Sequence, residues 1–194
     1  GRAVLPYREL GQALLQAVRL EVEVTGIASL RLESDDGVLS WKKPFEPFGR
    51  SPLTGSRLRI GHPELCCKPL DSLSFQFEWM GAPSDLAEHY ANYPLRSPPS
   101  FKAGVCFVDR SGRTSLLDMD LFAATPPAGG TPRSPQRREV ASIPAAARPS
   151  AADLWSAEWL QEELSQWPRY LQWELGEPDF QHSVYLSVAQ QKAQ

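Results

Sequence analysis

Leu73, Phe75, Phe77 and Trp79 alternate without a break with Ser74, Gln76 and Glu78. A period of two with large apolar groups on one side marks a strand that buries one face and wets the other. The same period recurs where Val18, Leu20, Val22 and Val24 alternate with Arg19, Glu21 and Glu23, and again at Phe101, Ala103, Val105 and Phe107. Shorter extended stretches are expected at 57–61 and 116–122, and a last strand at Tyr170, Leu171, Trp173 and Leu175, ended by 176–178. Asp35-Asp36-Gly37 is turn chemistry between Leu32 and Val38, so it predicts a hairpin, and 109–112 predicts another turn.

Helical signals are few. Pro6 opens a possible short helix over 6–16, Ser84 can cap one over 85–93, and Asp153 can cap one reaching Leu164. Residues 44–56 hold three prolines and two glycines in thirteen positions, which excludes regular structure. Phe45, Phe48 and Leu53 predict that this loop is nonetheless pinned to a core. Phe180 to Ala193 is amphipathic enough for a closing helix or strand. Short strands separated by turns, without helices alternating between them, predict a mainly β, antiparallel sandwich-like domain with a few short helices and a long Pro/Ala-rich loop.

The chain has 194 residues with 42% hydrophobic content, enough for one real core. Residues 124–152 depart from that composition. They are rich in Pro, Ala, Gly, Ser and Arg, and so are expected to form a mobile or extended surface linker. The expected organisation is a β-rich body over 1–123, the linker over 124–152, and a helix and strand over 153–194 that complete the same domain. The first residue is Gly, so a piece of a longer protein is expected. A net charge of −3 argues against nucleic acid as a partner. No apolar run is long enough to span a membrane, and no signal peptide opens the chain.

Chemistry is sparse. Cys66, Cys67 and Cys106 are odd in number and lack ligand spacing, so they read as small apolar groups in a reducing compartment. His62, His89 and His182 stand far apart, which predicts no metal site. No phosphate loop or nucleophile elbow is present, and neither a cofactor nor a small-molecule substrate is expected. Asp118 and Asp120 share one face of a strand and could serve a glycosidase, although such pairs more often line a solvated face. Phe75, Phe77, Trp79 and Trp173 read as core aromatics. Trp41, Trp155 and Trp159 are the tryptophans expected to reach a surface, which keeps a carbohydrate-binding module open as a second reading.

One stretch resembles a known family. Residues 43–83 carry Lys43, Pro44, Phe45, Pro47, Phe48 and Gly49, then Gly55-Ser56, Ile60-Gly61, Glu64, Lys68-Pro69-Leu70, Trp79, Gly81 and Pro83. This order is similar to the large baseplate wedge protein of phage-tail-like contractile injection systems, grouped with the baseplate J-like family. Upstream, 29–39 is similar to that family's strand and turn, with Asp35 where Asn is expected. Downstream, Arg169, Leu171, Trp173, Leu175, Asp179, Phe180, His182 and Tyr185 match its closing motifs. The chain departs at Cys66-Cys67, where bulkier residues are expected, and in the long linker. The resemblance covers about 18–123 and 167–190. It implies a β-rich structural module with no catalytic residue, in which Pro44, Phe45, Pro47, Phe48 and Gly49 anchor the loop. It also implies a place in a virion or tail-like particle assembled in the bacterial cytoplasm, with other baseplate, spike or sheath subunits as partners.

Overall fold

The computed structural model describes residues 22–83, 85–96, 99–122, 136–144 and 162–184. Among these described residues eight strands follow in chain order: β1 (Arg31–Ser34), β2 (Gly37–Leu39), β3 (Arg57–Gly61), β4 (Leu73–Phe77), β5 (Lys102–Asp109), β6 (Gly112–Asp120), β7 (Gln136–Val140) and β8 (Arg169–Leu175). Two short helices, α1 (Pro63–Cys67) and α2 (Leu86–His89), lie between them. The protein is mainly antiparallel β and sandwich-like. A six-stranded sheet in the order β2-β1-β3-β8-β5-β6 accompanies a two-stranded sheet, β4-β7.

Register explains the core. Leu58 and Val105 stand opposite Trp173, Ile60 and Phe107 opposite Leu171, and Ala103 opposite Leu175. Residues directly across an antiparallel pair point to the same face, so the apolar phases of β3, β8 and β5 merge into one buried layer. The rings of Phe75 and Phe77 on β4 lie 5.2 and 5.5 Å from that of Trp173, which joins the small sheet to the large one. The opposite face of the large sheet is charged. There Glu174 meets Arg57 at 3.5 Å, and Asp35 meets Arg59 at 3.1 Å.

The hairpin pairs Ser34 with Gly37, and β3 and β8 have their expected spans; Cys66 and Cys106 are buried. Trp173 is buried, while Phe75, Phe77 and Trp79 are partly buried against the core.

Other expectations need correction. Val22 and Val24 are 75% and 51% exposed and belong to no strand, because alternation creates a strand only where another edge pairs with it. The stretch 124–152 is not all linker. Gln136–Val140 forms β7 against β4, with Val140 and Ile143 buried and the Ile143 amide bonded to the Asp71 carbonyl. Two well-spaced apolar residues sufficed to seat a polar stretch on an open edge. Phe45 and Leu53 are exposed, so Phe48 alone of the three apolar loop residues reaches the core. The helix expected over 85–93 is a single turn capped by Asp85, and β6 begins at Gly112 and stops at Asp120, in register with β5. The expected helix over 6–16, Val18, Leu20, Ser84, Trp155, Trp159, the first part of the helix over 153–164 and the tail beyond Val184 lie outside the described residues.

Phe48 is 2% exposed and Phe45 is 38% exposed. Phe48→Ala should therefore cost about 3–5 kcal/mol in a denaturant titration, and Phe45→Ala should stay within about 0.5 kcal/mol of the parent. Equal losses from the two would contradict a loop held by Phe48. Truncation after residue 125 removes β8 from between β3 and β5, and the fragment should be insoluble or lack a cooperative melt.

Candidate interaction surface

The loop between β2 and β3 is held by the turn that precedes it. Asp35 accepts the Arg57 amide at 2.9 Å and pairs with the Arg59 guanidinium. Asp36 accepts the Arg50 amide at 2.8 Å. Its carboxylate also packs against Gly49, where a Cβ would come within 2.8 Å of Oδ2. Gly49 has φ +82°, a region that costs other residues energy. Two adjacent carboxylates thus hold the middle of the loop and its downstream end. At its far end the Gly55 amide bonds to the Leu175 carbonyl at 2.7 Å, and the Leu175 amide bonds back to Ser56 at 2.9 Å. Phe48 turns inward, with its ring 6.1 Å from Phe180 in an edge-on arrangement.

The expected anchors therefore divide. Phe48 is buried, Pro47 and Gly49 are half-buried, and Pro44 and Phe45 face solvent. Trp41 is 41% exposed, with the Lys42 ammonium 5.5 Å from its ring centre, a cation–π contact. Val38 on the edge strand β2 is 64% exposed. The result is an aromatic and basic outer surface on a loop whose backbone is fixed from beneath.

The other resemblance motifs also resolve into local physics. Glu64 and Lys68 form an i,i+4 ion pair at 2.7 Å along α1. His62 caps that helix, its Nδ1 accepting the Glu64 amide at 3.1 Å. Burial pushes the His62 pKa below its ordinary 6.5, against an opposing pull from Glu64 and with a smaller push from Lys68. Arg169 is fully buried. Its guanidinium donates to the carbonyls of Leu65 and Lys68 at the end of α1 and lies 4.3 Å over the Phe107 ring. Trp79 donates to the Leu121 carbonyl at 2.6 Å and lies 5.1 Å from Phe122, which continues to Phe101, Phe180 and Tyr90. Burial first, then Tyr93 and Asp179, push the Tyr90 phenol up to about 12.

The candidate catalytic groups do not converge on a cleft. Asp118 and Asp120 lie exposed on β6, and Asp120 accepts the Ser100 hydroxyl at 3.2 Å. His89 stacks on Tyr93 beside α2, and His182 lies in a 3-10 turn. Among the described residues no group of His, Cys, Asp and Glu could hold a metal, and no helix is long and apolar enough to cross a membrane.

Sequence reasoning missed Asp36 and Arg169 as organising residues. Arg169 left a signal: it occupies the buried phase of the alternation Arg169, Leu171, Trp173, Leu175, where a charge demands partners. Asp36 left less, since turn aspartates are common and its contact lies fourteen residues downstream.

Three outcomes follow from this geometry. Gly49→Ala should cost about 1–2 kcal/mol from backbone strain alone, with the displaced Asp36 carboxylate adding to it; an unchanged melting temperature would sink the clasp. His62→Ala should cost about 1 kcal/mol by removing a cap. Because the folded pKa is depressed, the His62 contribution is complete above pH 6.5 and is lost as pH falls through the lower folded value. A difference between parent and H62A that persists unchanged to pH 5 would contradict it. The Tyr90 pKa is raised, so its contribution is complete below pH 10 and fades toward pH 12. A phenolate absorbance titration should show one late tyrosine that disappears in Tyr90→Phe.

No curated protein sequence matches the chain. A family model described as "Baseplate protein PVC11-like" matches residues 6–194, nearly the whole chain. The chain therefore belongs to the PVC11-like family of baseplate proteins of phage-tail-like contractile injection systems.

Proposed function

We propose that this chain is a domain of a baseplate wedge subunit that works by holding neighbouring subunits, without catalysing a reaction. The family match over residues 6–194 carries this reading. The residues of the resemblance motifs support it, because the jobs they do are mechanical: Phe48 seats a loop, Glu64 and Lys68 brace a helix, and Trp79 ties β4 to the end of β6. A chain that spends its distinctive residues on scaffold suits a part whose work is to keep its shape under load. Its partners are then other baseplate, spike or sheath subunits, met in the bacterial cytoplasm as the particle assembles. The surfaces that meet them include Trp41, Trp155 and Trp159, and the small and large sheets with the C-terminal strand form one domain.

The test is to tag the chain in cells that make the particle and to locate the tag on purified particles by electron microscopy. It should sit at the baseplate end of the sheath. Label along the sheath, or none on intact particles, would overturn the proposal. The double change Asp118→Asn/Asp120→Asn should leave particle yield and firing unchanged; loss of a glycan-cleaving activity in that variant would restore the hydrolase reading.

A further inference from the structure

The loop after β2 carries three cations, Lys42, Lys43 and Arg50, against one carboxylate, Glu46, within residues 40–56. Arg31, Arg57, Arg59, Lys68 and Arg113 all sit in ion pairs. Lys42, Lys43 and Arg50 have none among the described residues, although the whole chain is acidic at −3. The carboxylates nearest in sequence are occupied: Asp35 by Arg59 and the Arg57 amide, Asp36 by the Arg50 amide. Glu46 alone stands among the three cations along the loop. The same segment exposes Trp41 and Phe45.

Trp41 and Phe45 are exposed beside cations that no carboxylate holds among the described residues, on a loop anchored just downstream at Phe48 and Arg50. The charge of such a surface selects the sign of what it meets. We propose that this loop docks an acidic face of a different polypeptide of the same particle, with Trp41 and Phe45 as apolar anchors and Lys42 and Lys43 against carboxylates. The proposal rests on the baseplate reading and names the chemistry of one partner in it. Arg50 adds to the field, and Trp41 is the type of residue that dominates binding when buried against a partner.

Assembled particles treated with a zero-length carbodiimide test this, because the reagent joins an amine only to a carboxylate already in contact. Lys68 and Glu64, 2.7 Å apart, supply an internal control. The expected result is an isopeptide from Lys42 or Lys43 to an Asp or Glu of another polypeptide. Lys42→Glu/Lys43→Glu should abolish it and deplete the chain from particles, while the isolated variant melts as the parent does. Three results would overturn the proposal: a Lys68–Glu64 link with none from Lys42 or Lys43, links only to a second copy of this chain, or binding of the purified chain to oligo-dT or anionic vesicles that the charge reversal removes. Particles that contain the chain but give no such link sink this inference alone. Particles that lack the chain sink the baseplate reading with it.

Discussion

Trp173 stands at the meeting of both sheets. Its strand lies between β3 and β5, so its ring shares a layer with Leu58 on one side and Val105 on the other. Phe75 and Phe77 close over it from β4. A late strand thus completes a pairing with β3 begun more than a hundred residues earlier and one with β5 begun about seventy residues earlier. Neither β3 nor β5 can satisfy its inner edge without β8, and an open edge of that length is an invitation to wrong pairing. The closure is non-local, which predisposes the sheet to slow assembly and to all-or-none loss. The cost is local: among the described residues the buried Trp173 indole N–H meets no acceptor, a penalty of about 1–3 kcal/mol, set against the burial of a large ring among aromatic neighbours.

Around that centre, buried polar groups tie irregular segments to the sheet. Arg169 holds the end of α1, and Trp79 holds the Leu121 carbonyl. Glu33, 7% exposed, accepts the Leu164 amide at 3.1 Å and also pairs with Arg31. Each of these would be costly if left unpaired in a low-dielectric interior. Each therefore fixes one geometry of a segment that lacks its own regular hydrogen bonding. Gly61 shows how close the resulting approach is, since a Cβ there would lie 2.2 Å from Leu164 and 3.0 Å from Trp167.

What the sequence made legible follows from how local each cause is. The strands at 57–61 and 169–175 are strongly patterned, and β5 and the β1–β2 hairpin carry their own turn chemistry, so pattern alone finds them. β7 escaped because its own stretch reads as polar and its pairing with β4 spans about sixty residues of sequence. Val22 and Val24 misled for the converse reason: they have the pattern but no strand partner. In the loop, composition could not separate Phe48 from Phe45. The difference is a matter of direction, set by Gly49 and the Asp36 carboxylate beneath it. The resemblance motifs marked the right segment while leaving open which of its rings faces the core.

That division within one short loop bears on what such a surface can do. Phe48 and Phe45 lie three residues apart and point to opposite environments, so the loop spends one ring on the fold and leaves another to solvent. A ring exposed on a flexible loop would tend to collapse onto the nearest apolar surface and lose its availability. The two aspartates, the positive-φ glycine and the Gly55–Leu175 bond oppose that collapse by fixing the backbone downstream of Phe45, from Gly49 to Arg57. The downstream end of the loop is held by the same β8 that closes the sheet. Stability at Trp173 and the anchoring of the loop are in this way linked, since the Leu175 end of β8 bonds Gly55 and Ser56.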